Sequence, residues 1–198
     1  MSKIVNRIYN TYDEAVAVIN ALEAADISHN DISIVANDAD KRHDPTHKNA
    51  AAKGAGTGAA TGAVLGGGAG LLAGLGMLAI PGVGPVVAAG WLIAAAAGAA
   101  AGAGTGAAAG GVIGKLTEYE VSKEDVDLYM ETIRRGGALV SVKTDDEHRR
   151  QVEDIMDHSA IDVAARRSAY KASEWATFDP KAPHYTPAQI ETERAQYR

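Results

Sequence analysis

From Gly54 to Gly114 the chain carries no charged residue, and Lys53 and Lys115 bracket the run. Of the chain's 22 glycines, only Gly136 and Gly137 lie outside it. Gly54, Gly58, Gly62, Gly66, Gly70 and Gly74 recur every four residues. Gly90, Gly98, Gly102, Gly106, Gly110 and Gly114 continue on the same grid, with Ala94 in the one gap. The two rows mirror each other about Pro81-Gly82-Val83-Gly84-Pro85. Small residues at this spacing let helix backbones approach closely. The pattern predicts an inserted Gly/Ala-rich antiparallel helical hairpin over 54–114 with its apex at 81–85. In water each glycine costs a helix roughly 1 kcal/mol relative to alanine. Such a hairpin is therefore expected in lipid, where backbone groups must be satisfied internally, or inside an assembly.

Each arm would reach roughly 40 Å at ~1.5 Å per residue, enough to cross a bilayer core. The large apolar residues fall in 64–80 (Val64, Leu65, Leu71, Leu72, Leu75, Met77, Leu78 and Ile80) and 86–93 (Val86, Val87, Trp91, Leu92 and Ile93), with only Val112 and Ile113 near the base. Residues 54–63 and 94–111 are almost purely Gly, Ala and Thr. At roughly −0.3 to −0.6 kcal/mol per large aliphatic residue, insertion of either arm is favourable but marginal. The apex has no charge or polar side chain, so it stops within a bilayer or is buried against other apices. A four-residue step overshoots a helical turn, so the glycine stripe swings around each arm. One mate cannot cover it unless the pair coils right-handedly; the favoured alternative is contact with a neighbouring subunit at another level. A homo-oligomer is the expected consequence.

The remainder is polar. The net charge of −6 and pI near 5.5 argue against nucleic acid as a general partner. The absence of cysteine removes disulfides, thiolate metal sites and a Cys nucleophile. The opening Met-Ser-Lys-Ile-Val-Asn-Arg is no signal peptide.

Residues 3–9 read as a strand, and Thr11-Tyr-Asp-Glu14 as a capping box opening a helix with Ala15, Val18, Ile19 and Leu22 on one face. Asp31–Ala36 reads as a strand. Beyond the insert, Ser122 opens a helix with Val126, Tyr129, Met130 and Ile133 inward, stopped by Gly136-Gly137. Ala138–Lys143 is a strand, and Thr144-Asp-Asp-Glu147 a second capping box before Val152, Ile155 and Met156. Ile161-Asp-Val163 reads as a short fourth strand. Two strand–cap–helix–strand units predict an α+β fold, a ferredoxin-like βαβ–βαβ sandwich with helices on one face of an antiparallel sheet. The expected divisions are 1–40, the first half; 41–53, a polar loop; 54–114, the glycine-zipper hairpin; 115–163, an extra helix and the second half; and 164–198, an aromatic arm.

The opening strand with Thr11-Tyr-Asp-Glu-Ala15, Val121-Ser-Lys-Glu-Asp125, Arg135-Gly-Gly-Ala-Leu-Val-Ser-Val142 and the tail Trp175-Ala-Thr-Phe-Asp-Pro180 with Pro183-His-Tyr-Thr186 resemble the bacterial general-stress-protein family, YflT-like and also met as low-temperature-induced proteins. The resemblance implies a stress-linked protein with a glycine-rich, membrane-associated insert. It implies no enzymatic activity and supplies no catalytic residues.

No nucleophile–base set, metal constellation or phosphate loop is visible, and Gly82-Val-Gly84 lacks the Lys-Ser/Thr of a P-loop. No catalytic residue, cofactor, metal or small-molecule substrate is expected. His43 and His47 flank Pro45 and so share no helix face. Lys53 and Lys115 are candidate membrane flanks, with Lys41, Arg42 and Lys48 nearby. Trp91 is expected to pack near the tip. In the tail, Tyr170, Trp175, Phe178, Tyr185 and Tyr197 point to a docked arm rather than a disordered one. Thr186-Pro187 caps a short helix over 187–197. The leading expectation is a non-enzymatic stress protein whose hairpin enters the cytoplasmic membrane and self-associates, both flanks remaining cytosolic. The alternatives are a soluble cytoplasmic homo-oligomer or cage with hairpins inside and, third, an oligomeric pore.

Overall fold

The computed structural model describes residues 3–39, 71, 75–94 and 107–197. The chain order is β1 (Lys3–Tyr9), α1 (Tyr12–Ala24), β2 (Ile32–Asn37), β3 (Gly76–Ile80), β4 (Gly84–Gly90), α2 (Ala107–Glu118), α3 (Lys123–Arg134), β5 (Ala138–Thr144), α4 (Arg149–Asp157), α5 (Val163–Ala172) and α6 (Pro187–Gln196). The protein is mixed α+β, as the sequence predicts. Its five strands form one antiparallel sheet in the order β1-β5-β2-β4-β3. Lys3 pairs with Thr144, Ile32 with Val142, and Ser33 with Gly90. β5 therefore lies between β1 and β2, which run parallel to each other.

Local chemistry sets the helix starts. The Thr11 hydroxyl accepts from the Glu14 N–H at 3.2 Å, and the Glu14 carboxylate accepts from the Asn10 N–H at 2.9 Å. Ser122 caps α3 by accepting from the Asp125 N–H. The predicted second box does not form. Thr144 ends β5, and its hydroxyl donates to the Asp145 carbonyl. The Asp145 carboxylate instead accepts from the His148 N–H and faces its ring nitrogen, both at 2.9 Å, so α4 starts later.

Helices cover both faces of the sheet, not one. Val5, Tyr9, Ile32, Ile34, Ala36, Val140 and Val142 meet α1 and α4 through Val18, Ile19, Leu22, Val152 and Met156. On the other face Ile8, Val35, Leu139, Val86 and Ile80 meet α2 and α3 through Val112, Leu116, Val126, Met130 and Ile133. The two-sided cover explains why β2 is buried along its whole length and β5 almost so. Near-continuous apolar strands belong to sheets covered on both sides. Two small polar side chains on the second face are bonded. Ser33 donates to the Ala89 carbonyl at 2.8 Å, and Ser141 to the Asn6 side chain at 2.6 Å.

Two further expectations are corrected. The stretch from Gly76 to Gly90 is a β-hairpin, not the inner turns of two helices. Its turn is Ile80-Pro81-Gly82-Val83, closed by the Val83 N–H donating to the Ile80 carbonyl at 3.0 Å. Pro81 presets its own φ, and Gly82 takes the positive φ of 78° that a type II turn requires at that place. β-Branched Val86 and Val87 then favour extended backbone, and pairing with β2 satisfies it. The fourth strand is absent: the Ile161 N–H donates to the Ile8 carbonyl at 2.8 Å, but Asp162 then caps α5 through the Ala165 N–H.

Candidate functional site

The C-terminal arm, from α5 to Tyr197, folds back over the second face and gathers a cluster of buried charge around Glu131, Arg135 and Arg166. Phe178 is buried in the core, and Asp179, Pro180 and His184 lie against the β3–β4 turn. Thr186 and Gln189 form a capping box that starts α6, whose buried Ile190 packs against Gly136. Tyr197 then returns to the Tyr170 ring, with centroids 6.2 Å apart.

Glu131 on α3 is fully buried, and its carboxylate accepts from Arg134 at 3.2 Å and from Arg135 at 2.7 Å. Arg135 also reaches Glu193 of α6 at 3.3 Å and lies 4.2 Å from the centre of the Tyr170 ring. Burial pulls the Arg135 guanidinium down, but the Glu131 hydrogen bond and charge outweigh it and hold it above its ordinary range. Arg134 donates to the Pro183 carbonyl at 2.9 Å and lies over Tyr185 at 4.8 Å. Both arginines at the end of α3 thus serve as clamps for the arm. Arg194 of α6 completes the ring by donating to the Gly136 carbonyl at 3.1 Å.

Arg166 of α5 is only 9% exposed. It donates to the Asn10 side-chain oxygen at 2.6 Å and to the Tyr170 hydroxyl at 3.4 Å, and stacks over Tyr197 at 4.0 Å. Burial pushes the Tyr170 phenol up, against the opposing pull of Arg166. Between Asn10, Arg135, Arg166, Glu193, Arg194 and Tyr197 a cavity leaves about 10 Å³ for the centre of a water-sized sphere. A more open cleft of about 360 Å³ lies at the other end of the sheet, lined by Asp26, Ser28, Asp31, Lys143, Asp145 and His148. Trp91 borders this region: its Nε1–H donates to the Asp31 carbonyl at 3.1 Å, Lys143 lies over its ring at 4.6 Å, and Tyr119 meets it edge-on. Among the described residues, no group of three or more His, Asp and Glu is placed to hold a metal ion.

Several residues singled out in the sequence lie outside the described residues: Lys53, Gly54, Gly58, Gly62, Gly66, Gly70, Gly74, Gly98, Gly102 and Gly106, with His43 and His47. The others do not share one surface. Pro81, Gly82, Gly84 and Pro85 form the expected apex, but of a strand hairpin held by the arm. Gly90 ends β4 with φ 87°, and a Cβ there would stand 2.2 Å from the Ile32 carbonyl oxygen. Gly110 and Gly114 lie in α2, where an added Cβ meets nothing within 4 Å among the described residues. Lys115, also in α2, pairs with Glu118 at 2.7 Å. Among the described residues no helix is long and apolar enough to cross a membrane. The arginine cluster escaped sequence reading because its members come from α3, α5 and α6. Its traces were the doublets Arg134-Arg135 and Arg166-Arg167 beside tail tyrosines.

Residues 5–83 match the family model described as the heat-induced stress protein YflT domain. The match runs from β1 to the β3–β4 turn, and among the described residues Asn10 is the only cavity-lining residue inside it. No curated protein and no solved structure matches the chain.

Proposed function

We propose that this YflT-like general stress protein is non-enzymatic and acts by self-association, with its folded α+β body presenting the Gly/Ala-rich segments to further copies. The stress-related role follows from the family match. One observation supports assembly over insertion as the mode of action. The large apolar residues that a membrane hairpin would offer to lipid are spent inside the domain: Leu71, Ile80, Val83, Val86, Val87 and Leu92 are all buried. Inserting the segment would strip the sheet of β4 and empty part of both core layers. Each fully buried side chain of this size contributes roughly 1.5–3 kcal/mol to the fold. Outside the described residues the charge-free run retains few large aliphatics, chiefly Val64, Leu65 and Leu72. Their insertion gain of roughly 0.3–0.6 kcal/mol each is small against that loss. Gly/Ala surfaces are better suited to close backbone contact with another copy.

The body is read as a ferredoxin-like unit extended by the β3–β4 hairpin. The order β1-β5-β2 and the single Ile161 bond at the outer edge of β1 support that reading. The test is light scattering on the full chain beside carbonate-washed membrane fractionation. We expect a defined oligomer that is absent from the washed pellet. Replacing Gly62, Gly66, Gly102 and Gly106 by Leu should reduce its size. A monomer, or retention in the washed membrane, would overturn the assembly reading.

A further inference from the structure

We propose that the cavity under α6 is a binding site for a single small inorganic anion of halide size. The inference rests on Arg166. A buried guanidinium is costly unless a negative charge meets it, and Arg166 has no carboxylate within ion-pair reach among the described residues. Among the described residues its hydrogen bonds go to two neutral oxygens, Asn10 Oδ1 and the Tyr170 hydroxyl, fewer acceptors than the five N–H groups of its fork. The nearby carboxylates are committed. Glu131 is taken by Arg134 and Arg135, and Glu193 faces Arg135. Arg135 and Arg194 line the same cavity as Arg166, so its wall is biased to positive charge.

Size and charge restrict the occupant. About 10 Å³ of room for a sphere's centre is one site's worth of space. Phosphate and sulfate do not fit unless α6 lifts, and a cation is repelled by the guanidinium groups. A water would accept from the fork but leave the buried charge unmet, whereas chloride or bromide supplies both. The anion would tie α5 to α6 and so close the arm over the domain. The site is independent of the assembly proposed above, and nearly all of it lies outside the family match.

The experiment is a thermal melt of the full chain in sodium gluconate, with chloride exchanged for gluconate at constant ionic strength. Gluconate is too large for the cavity, so general salt effects cancel. A ligand that binds the folded state raises the melting temperature. A rise with chloride, repeated with bromide, is expected in the native chain. Arg166→Gln should weaken the apparent chloride affinity about tenfold or more, the loss expected for a charge-assisted hydrogen bond. Melting that is indifferent to chloride, or a chloride response that survives in R166Q, overturns the site. Should R166Q fail to fold, crystals of the native chain soaked in bromide decide the matter. Anomalous signal beside Arg166 supports the site, and a water without such signal overturns it.

Discussion

Gly82, Gly84 and Gly90 sit on the same charge-free run as Gly110 and Gly114, yet the two groups do opposite things. In the first, the missing side chain is filled by something else. A Cβ on Gly82 would stand 2.7 Å from the Asp179 carbonyl oxygen and 2.8 Å from the Pro180 Cα. One on Gly84 would stand 2.9 Å from His184 Cβ. All three residues also have positive φ, which costs any L side chain. In α2, by contrast, Gly110 and Gly114 have ordinary helical backbone, and an added Cβ would meet nothing within 4 Å among the described residues. The glycines of the charge-free run are thus not one device. At the hairpin Gly82 and Gly84 serve turn geometry and the close approach of the C-terminal arm, and Gly90 the close approach of β2. In α2 no described residue fills the space that a Cβ on Gly110 or Gly114 would take.

The largest effect is expected at Gly90. An added methyl would meet backbone, not a movable side chain, at 2.2 Å, and the φ of 87° adds strain. Gly90→Ala should destabilise by about 3–5 kcal/mol, the range of severe backbone disruption. Denaturant unfolding would measure it. A loss below that of an ordinary surface change would show that β4 is not held to β2 as described.

Next comes Gly82. The opposing backbone belongs to the arm, which can lift, so Gly82→Ala should cost about 2–3 kcal/mol. The arm should pay most of that, and limited proteolysis between Ser173 and Thr186 should speed up before the domain melts. Equal protection in native and variant chains would separate the arm from the hairpin turn.

Gly136 tests the other anchor of the arm. It closes α3 with φ 102°, and a Cβ would press on Ile190 Cγ2 at 2.5 Å, the movable end of a side chain. Gly136→Ala should therefore cost less than Gly82→Ala, about 1–2 kcal/mol, most of it from the left-handed helix cap. A loss larger than at Gly82 would move the arm's main anchor from the hairpin turn to α6.

The sequence revealed the elements whose signals are local. Thr11 with Glu14, Ser122, Thr186-Pro187 and the inward faces of α1 and α3 could all be read directly, because caps and helical periodicity are written within a few residues. At the β3–β4 hairpin two signals compete: glycine spacing points to helix, and Pro81-Gly82 with the β-branched residues after it points to strand. A Pro-Gly turn flanked by Ile80, Val83, Val86 and Val87 is a strand signal. Whether that stretch is helix or strand is decided by the open edge of β2, which the sequence does not display. The fourth strand failed for the same kind of reason. Ile161 has strand-like composition, but Asp162 is a better helix cap than a strand residue. The arginine cluster depends on the arm folding back across the domain, and no spacing rule joins Asn10 to Arg166.

The smallest effect has the opposite sign, and it separates the two glycine groups most sharply. Glycine in a helix interior is less stable than alanine by roughly 0.5–1 kcal/mol, because the unfolded chain has more freedom to lose. With nothing among the described residues within 4 Å of either added Cβ, the isolated fold gains that amount at Gly110 and again at Gly114. The double variant Gly110→Ala, Gly114→Ala should therefore raise the denaturation midpoint while Gly82→Ala and Gly90→Ala lower it. The same double variant also probes assembly. If α2 meets another copy through its glycine face, the added methyl groups hold the backbones apart, and oligomer size or affinity falls even as each subunit grows more stable. A more stable subunit with unchanged oligomer size would confine any self-association to the rest of the glycine row. A less stable subunit would mean that the glycine face of α2 is covered within the subunit itself, and the contrast between the two groups of glycines would collapse.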